Sequence, residues 1–300
     1  MRIALTGATG FIGRYIARHL VEQGHTLRCW CRPTGDCGGL EDLAGSLEWI
    51  MGDLDDSQSA QSLVAGCDAA VHAALYHPGG GFCRGEGDLV EFVEKNIVGT
   101  VRLIEAARQA GVGRFVLIST CAVHEKVLDD RPLDETHPLW PKSHYGAHKA
   151  ALEQFVYSYG LGDGYPICAL RPTGVYGLAR PADASKWFDL VSAVVRGQPV
   201  TCKRGGKEVH ARDVARAVAL LLKADGIAGE AYNCCDRYVP DFEVATIAKR
   251  ISGSTSEIRG RRPAPKHQIE TGKLQALGMT FGGAALLGKT IAELVESARR

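Results

Sequence analysis

No apolar stretch of this 300-residue chain approaches the ~20 residues of a membrane-spanning helix, so no membrane role is expected. Charge of one sign is equally lacking. Lys and Arg number 35 against 34 Asp and Glu, a formal net charge of +1, which supplies no basic field for nucleic acid. The ten cysteines include no Cys-x-x-Cys pair, and several fall inside apolar runs as small hydrophobes, so neither a zinc site nor a disulfide framework is expected. No set of His, Cys and Asp has ligand spacing, so no metal is expected. The first apolar run breaks at Gly7, too soon for a signal peptide; reduced thiols and a cytoplasmic location are the matching expectations. Internal repeats and low-complexity tracts are missing too. What is present is a composition 45 % hydrophobic, enough to bury a sizeable core.

The run Ile3-Ala4-Leu5 ends in Thr6-Gly7-Ala8-Thr9-Gly10-Phe11-Ile12-Gly13, and an amphipathic segment follows to Gln23. Strand, glycine turn and helix in this order open a nucleotide-binding βαβ unit. Gly7, Gly10 and Gly13 suit a tight turn, a close approach of backbone to pyrophosphate, and close packing of helix on strand. The helix then points its N–H groups and positive end at the phosphates.

Short buried strands are expected at Leu27–Cys31, Glu48–Met51, Ala69–His72, Phe115–Ile118 and Ile167–Leu170. Helices are expected at Phe11–Gln23, Ser59–Val64, Leu89–Ala110 and Ser143–Tyr159, with Gly24, Gly111 and Gly160 as stop signals for the long ones. This alternation implies an α/β chain built on a Rossmann-type, doubly wound parallel sheet. Beyond Arg171 the rhythm loosens, with helices expected at Ala184–Val195, Arg212–Leu222, Phe242–Ile251 and Thr290–Ala298. Residues 1–172 therefore read as the dinucleotide-binding core, and 173–300 as a smaller substrate-binding region interleaved with it. The loops Pro78–Phe82 and Gly177–Ala184 are candidate covers for the site.

Tyr145 and Lys149 stand four apart in an expected helix, so they share one face about a turn apart. A free tyrosine has a pKa of about 10, too high to exchange protons readily near neutrality. A nearby ammonium stabilises the phenolate and lowers that value. A hydroxyl donor on a neighbouring strand can then hold a substrate oxygen against the tyrosine. Thr120, with Ser119 beside it at the end of Phe115–Ile118, is the candidate. An isolated Tyr-x-x-x-Lys would read as an ordinary exposed helical pair; its place after Ser119-Thr120 and before Arg171-Pro172 favours catalysis.

A TGxxGxxG start, a strand ending in Ser-Thr and a YxxxK helix, in this order, resemble the extended short-chain dehydrogenase/reductase family over nearly the whole chain. The resemblance implies that Gly7, Thr9, Gly10, Phe11, Ile12 and Gly13 hold the dinucleotide. Gly52-Asp53-Leu54 is similar to the family's adenine-contacting element, which implicates Asp53 and Leu54. His72-Ala73-Ala74 resembles its loop after the fourth strand, implicating Ala73 and Ala74. Asn96 matches a family asparagine. Leu170-Arg171-Pro172-Thr173-Gly174-Val175-Tyr176-Gly177 resembles a turn whose backbone faces nicotinamide, implicating Pro172 and Val175, with Ser119 nearby. The family also pairs subunits through a four-helix face, which implies a possible homodimer through Leu89–Ala110 and Ser143–Tyr159.

The strand Leu27–Cys31 carries no acid to accept from a ribose 2′-hydroxyl, and Arg32 follows it directly. A guanidinium there suits a 2′-phosphate, which favours NADP over NAD. Stacking of Arg32 on adenine would fit either cofactor.

Family dehydratases carry Thr-Asp-Glu where this chain has Thr120-Cys121-Ala122, so dehydration is not expected. The expected activity is an NAD(P)-dependent oxidoreductase moving hydride between nicotinamide and a secondary alcohol or carbonyl, through Thr120, Tyr145 and Lys149. The alternatives are a nucleotide-sugar epimerase with tightly bound NAD, and a non-catalytic NAD(P)-sensing protein. Gly206, where nucleotide-sugar enzymes often place a diphosphate-binding arginine, weakens the first; the retained Thr120, Tyr145 and Lys149 weaken the second.

Overall fold

Strand β1 (Arg2–Thr6) is buried from Ile3 onward, and the glycine turn after it leads into helix α1 (Phe11–Glu22). In the computed structural model, which describes residues 1–33, 35–79 and 85–300, the alternation continues. There follow β2 (Thr26–Cys31), β3 (Leu47–Met51), α2 (Ser57–Val64), β4 (Ala69–His72), α3 (Leu89–Val93), α4 (Gly99–Gln109), β5 (Phe115–Ile118), α5 (His144–Tyr157) and β6 (Ile167–Pro172). Next come β7 (Gly174–Tyr176), α6 (Phe188–Val195), β8 (Val200–Cys202), β9 (Gly205–His210), α7 (Ala211–Leu221), β10 (Glu230–Cys234) and β11 (Arg237–Pro240). Helix α8 (Asp241–Ser252), β12 (Ile258–Gly260), α9 (Gly272–Ala276) and α10 (Gly283–Arg299) complete the order.

Seven strands form one parallel sheet in the order β10-β6-β5-β4-β1-β2-β3. The order reverses between β1 and β4, and in a doubly wound sheet the crevice at that switch point takes the ligand. The fold class is therefore the expected one. No described helix is long and apolar enough to cross a membrane.

The chain divides into two compact units. The first comprises Met1–Pro172, Val214–Cys234 and Ile269–Met279; the second comprises Thr173–Asp213, Cys235–Gln268 and Thr280–Arg300. The first has a core that includes Leu63, Leu103, Ile104, Phe115, Leu117, Leu152 and Val156. The second packs α6, α8 and α10 through Val191, Val194, Val244, Leu287, Ile291 and Leu294. Its strands form a β11-β9-β7 sheet and a β12-β8 pair.

Several expected elements differ. Leu89–Ala110 is not one regular helix, because a π-helical segment at Glu94–Val98 separates α3 from α4. That extra residue in the turn accompanies a buried Asn96, whose amide bonds the Phe92 carbonyl and both backbone polar groups of Tyr76. Helix α6 starts at Phe188 and not Ala184, since Trp187 is left-handed (φ 68°) and cannot continue a helix from before. Helix α10 begins seven residues before Thr290, at Gly283. Strand β10 was not expected, because Glu230 and Asn233 interrupt its apolar pattern. Asn233 is nonetheless fully buried, its N–H donating to Glu135 Oε1 (2.8 Å) and its amide to the Glu270 carbonyl (3.2 Å). Of the loop Pro78–Phe82, Gly80–Phe82 lie outside the described residues.

Candidate active site

Two glycines set the shape of the phosphate turn. Gly7 has φ 73°, and a Cβ there would lie 2.6 Å from the Ala73 carbonyl. At Gly13 a Cβ would lie 1.9 Å from the Gly7 oxygen, so only hydrogen fits where α1 crosses the turn. Gly10 is the extended N-cap of α1 and brings no side-chain cap. The first N–H groups of that helix are thus presented to the turn by backbone alone.

A cleft of about 210 Å³ opens beside this turn. Of the residues expected to hold cofactor, it brings together Gly7, Thr9, Gly10, Arg32, Asp53, Leu54, Ala73 and Ala74. Phe11, Ile12 and Gly13 form the first turn of α1 and do not line it. Ser119 is buried just past β5, Pro172 is buried at the end of β6, and Val175 lies half-buried in β7 of the second unit. Trp30, Gly52, Leu75 and Tyr76 line the cleft as well; Gly52 belongs to the element read as adenine-contacting, and Trp30 was missed. The signal for Trp30 is alternation: it stands two residues before Arg32, on the same side of β2.

The Arg32 side chain is exposed and makes no ion pair or hydrogen bond among the described residues. Asp53 accepts the N–H of Leu54 on Oδ1 (2.7 Å), which turns its carboxylate back onto its own loop. Trp30 donates from Nε1 to the Ser59 carbonyl (3.2 Å).

Thr120, two residues past β5, caps the short 3-10 turn Cys121–His124, accepting the Ala122 N–H (3.1 Å). Its own hydroxyl proton remains a donor. Ser143 caps α5 by accepting the Gly146 N–H (3.0 Å), which starts the helix just before half-buried Tyr145. Lys149 lies one turn on and is buried; its Nζ donates to the Ile118 carbonyl (2.9 Å). Burial lowers its pKa to about 8, against the opposing pull of Glu153. Between them, His148 packs against Tyr145 (ring centroids 5.3 Å apart) and Phe92 (4.9 Å). Burial and the Lys149 charge lower its pKa to about 2, so it stays neutral beside the tyrosine. Among the described residues no cluster of His, Cys, Asp and Glu could hold a metal ion.

The chain matches the model of the NAD dependent epimerase/dehydratase family over residues 3–235. It is 30 % identical over 245 residues to a 4-hydroxy-2-methyl-3-oxo-4-farnesyl-3,4-dihydroquinoline-1-oxide ketoreductase of Stigmatella aurantiaca, covering 79 % of this chain and 68 % of that one. A dTDP-glucose 4,6-dehydratase of Streptomyces niveus is 32 % identical over 249 residues, 78 % of this chain and 72 % of its own length. Among solved structures, the UDP-glucose 4-epimerase of Thermus thermophilus in complex with NAD superposes with a TM-score of 0.79 at 26 % identity, covering 100 % of this chain and 99 % of that one.

Proposed function

We propose that this chain, which belongs to the NAD dependent epimerase/dehydratase family and is an enzyme of the extended short-chain dehydrogenase/reductase type, transfers hydride between nicotinamide and a secondary alcohol or its carbonyl. The observation that carries the reading is the buried ammonium of Lys149, held one helical turn from Tyr145. A positive charge there favours the phenolate, so Tyr145 gives or takes the substrate proton near neutral pH. Thr120 donates to the substrate oxygen and holds it for that transfer. When bound, a nicotinamide dinucleotide supplies the hydride or accepts it.

The residues present fit such a cofactor. Gly7 and Gly13 leave a turn with no room for side chains, and the uncapped start of α1 suits a pyrophosphate. Arg32, exposed and without an ion pair or hydrogen bond among the described residues, after a strand without acids supports NADP over NAD. The dehydratase chemistry of some relatives is not assigned to this chain, because Cys121 and Ala122 offer no acid pair after Thr120. Substrate binding by 173–300, a cytoplasmic location and a homodimer belong to the same proposal. Exposed Leu89, Val90, Val93 and Val98 along α3 and its π segment, with Phe155 on α5, support the dimer.

Consumption of NADPH and NADH over a panel of ketones and aldehydes, run beside isomerisation of nucleotide sugars, tests the reading. Tyr145→Phe should lower turnover by about 10²–10⁴-fold while NADPH still binds. Unchanged turnover in that variant removes the catalytic assignment. Isomerisation without net oxidation would favour the epimerase instead.

A further inference from the structure

The wall of the cleft formed by Ala73–Tyr76 is held at both ends by a chain of buried hydrogen bonds. Thr6, His72, Asn96 and Thr100 are each no more than 2 % exposed. The Thr6 hydroxyl oxygen lies 3.1 Å from the Ala73 N–H nitrogen and 3.1 Å from that of Ala74. It also lies 2.7 Å from His72 Nδ1. A hydroxyl oxygen has two acceptor sites and one proton. The two amides occupy the acceptor sites, the Ala73 N–H being shared with the Thr6 backbone carbonyl (3.3 Å), and the hydroxyl proton goes to Nδ1.

That assignment propagates. Nδ1 accepts, so the ring proton sits on Nε2, 2.8 Å from Thr100 Oγ1. Thr100 passes its own proton to the Asn96 carbonyl (2.5 Å). The Asn96 side chain then closes on the far end of the wall, accepting the Tyr76 N–H (2.8 Å) and donating to its carbonyl (2.9 Å). Every donor along the path meets an acceptor, and only one tautomer of His72 allows it.

We infer that His72 is a positioning residue for the cofactor cleft: neutral and protonated on Nε2, it ties Thr6 to Thr100 and so fixes Ala73–Tyr76 against the glycine turn. This rests on the cofactor reading above. The Ala73 carbonyl already occupies the space a side chain at Gly7 would need, so the wall has no tolerance for inward slip and any loosening opens the cleft. Complete burial, with the Lys149 charge second, lowers the His72 pKa to about 3. An imidazolium would aim a second N–H at a hydroxyl oxygen whose acceptor sites are full.

Two measurements on the full chain test this. Thr6→Val keeps the shape of the side chain and removes both of its hydrogen-bonding functions, whereas Thr6→Ser keeps them. NADPH binding, followed by its fluorescence, should weaken about 10-fold in Thr6→Val and stay within about twofold of wild type in Thr6→Ser. A merely structural role would lower the melting temperature of Thr6→Val and leave binding alone, which overturns the inference. In ¹⁵N NMR, the ring signals lost in His72→Asn should show an unprotonated Nδ1 and a protonated Nε2 from about pH 8 to pH 5. Titration within that range, or a proton on Nδ1, also overturns it, whether or not the Thr6 variants fold. Failure of the wild type to bind either dinucleotide removes the cofactor reading and this inference together. Wild-type binding that Thr6→Val leaves intact removes this inference alone.

Discussion

Glu153 of α5 and Arg171 of β6 form an ion pair in which both side chains are 0 % exposed. Arg171 Nη2 lies 2.5 Å from Glu153 Oε2, and its Nε bonds both carboxylate oxygens. The remaining donors reach His124 Nε2, the Glu135 carbonyl and the Tyr157 hydroxyl. Ser119, next to Thr120, donates its hydroxyl to the same carboxylate. Removing one partner leaves an uncompensated buried charge, whereas removing both does not. Glu153→Gln should therefore destabilise by about 3–5 kcal/mol in urea unfolding, and Glu153→Leu with Arg171→Met by clearly less. A single variant costing under about 1 kcal/mol would mean the pair is solvated in solution.

Arg32 offers a sharper readout on cofactor choice. Arg32→Ala should weaken NADPH about 10-fold or more and leave NADH within about twofold, since only the former carries the 2′-phosphate. Titrating both cofactors against both proteins checks it. Equal losses for the two would assign the guanidinium to stacking on adenine.

The approach of α1 to its turn makes Gly13 intolerant of the smallest side chain. Gly13→Ala should abolish dinucleotide binding and lower stability by about 2 kcal/mol or more, because the methyl meets backbone at 1.9 Å. Gly45, with nothing within 4 Å of a Cβ, is the control, and Gly45→Ala should change stability by less than about 0.5 kcal/mol. Comparable effects at the two sites would refute the packing argument.

Acid should unfold the protein through its buried imidazoles. Burial lowers His72 to about 3, His124 to about 4, His148 to about 2 and His210 to about 4. Below about pH 6.5 the unfolded chain takes up protons that the folded chain refuses, so stability falls as pH drops from there toward 4. Each group can contribute up to about 1.4 kcal/mol per pH unit in that window. Lys149, lowered to about 8, has the same sign higher up, with stability lost as pH falls from 10.5 toward 8. Urea midpoints at pH 7 and pH 5 settle the first window; equal midpoints would mean the rings are hydrated in solution.

The glycine turn, the strand–helix alternation and the four-residue spacing of Tyr145 and Lys149 could be read directly from the chain. Each is written within one or two neighbouring elements, where backbone sterics and side-chain period act over a few residues. Hence the parallel sheet and most cleft-lining glycines were legible, whereas Ala73 and Ala74 were implied only by the family resemblance. The left-handed Trp187, the π segment around Asn96, strand β10 and the closure of Thr6 on Ala73 and Ala74 were not. A buried Asn233 or Arg171 looks like surface in sequence, because burying a polar group is favourable only where a partner waits. Those partners, Glu135 and Glu153, come from distant parts of the chain. Local sterics thus sufficed for most of the alternating strands and helices up to Arg171, while three-dimensional packing alone decided which polar groups are paired, and with them the tautomer of His72 and the charge state of Lys149.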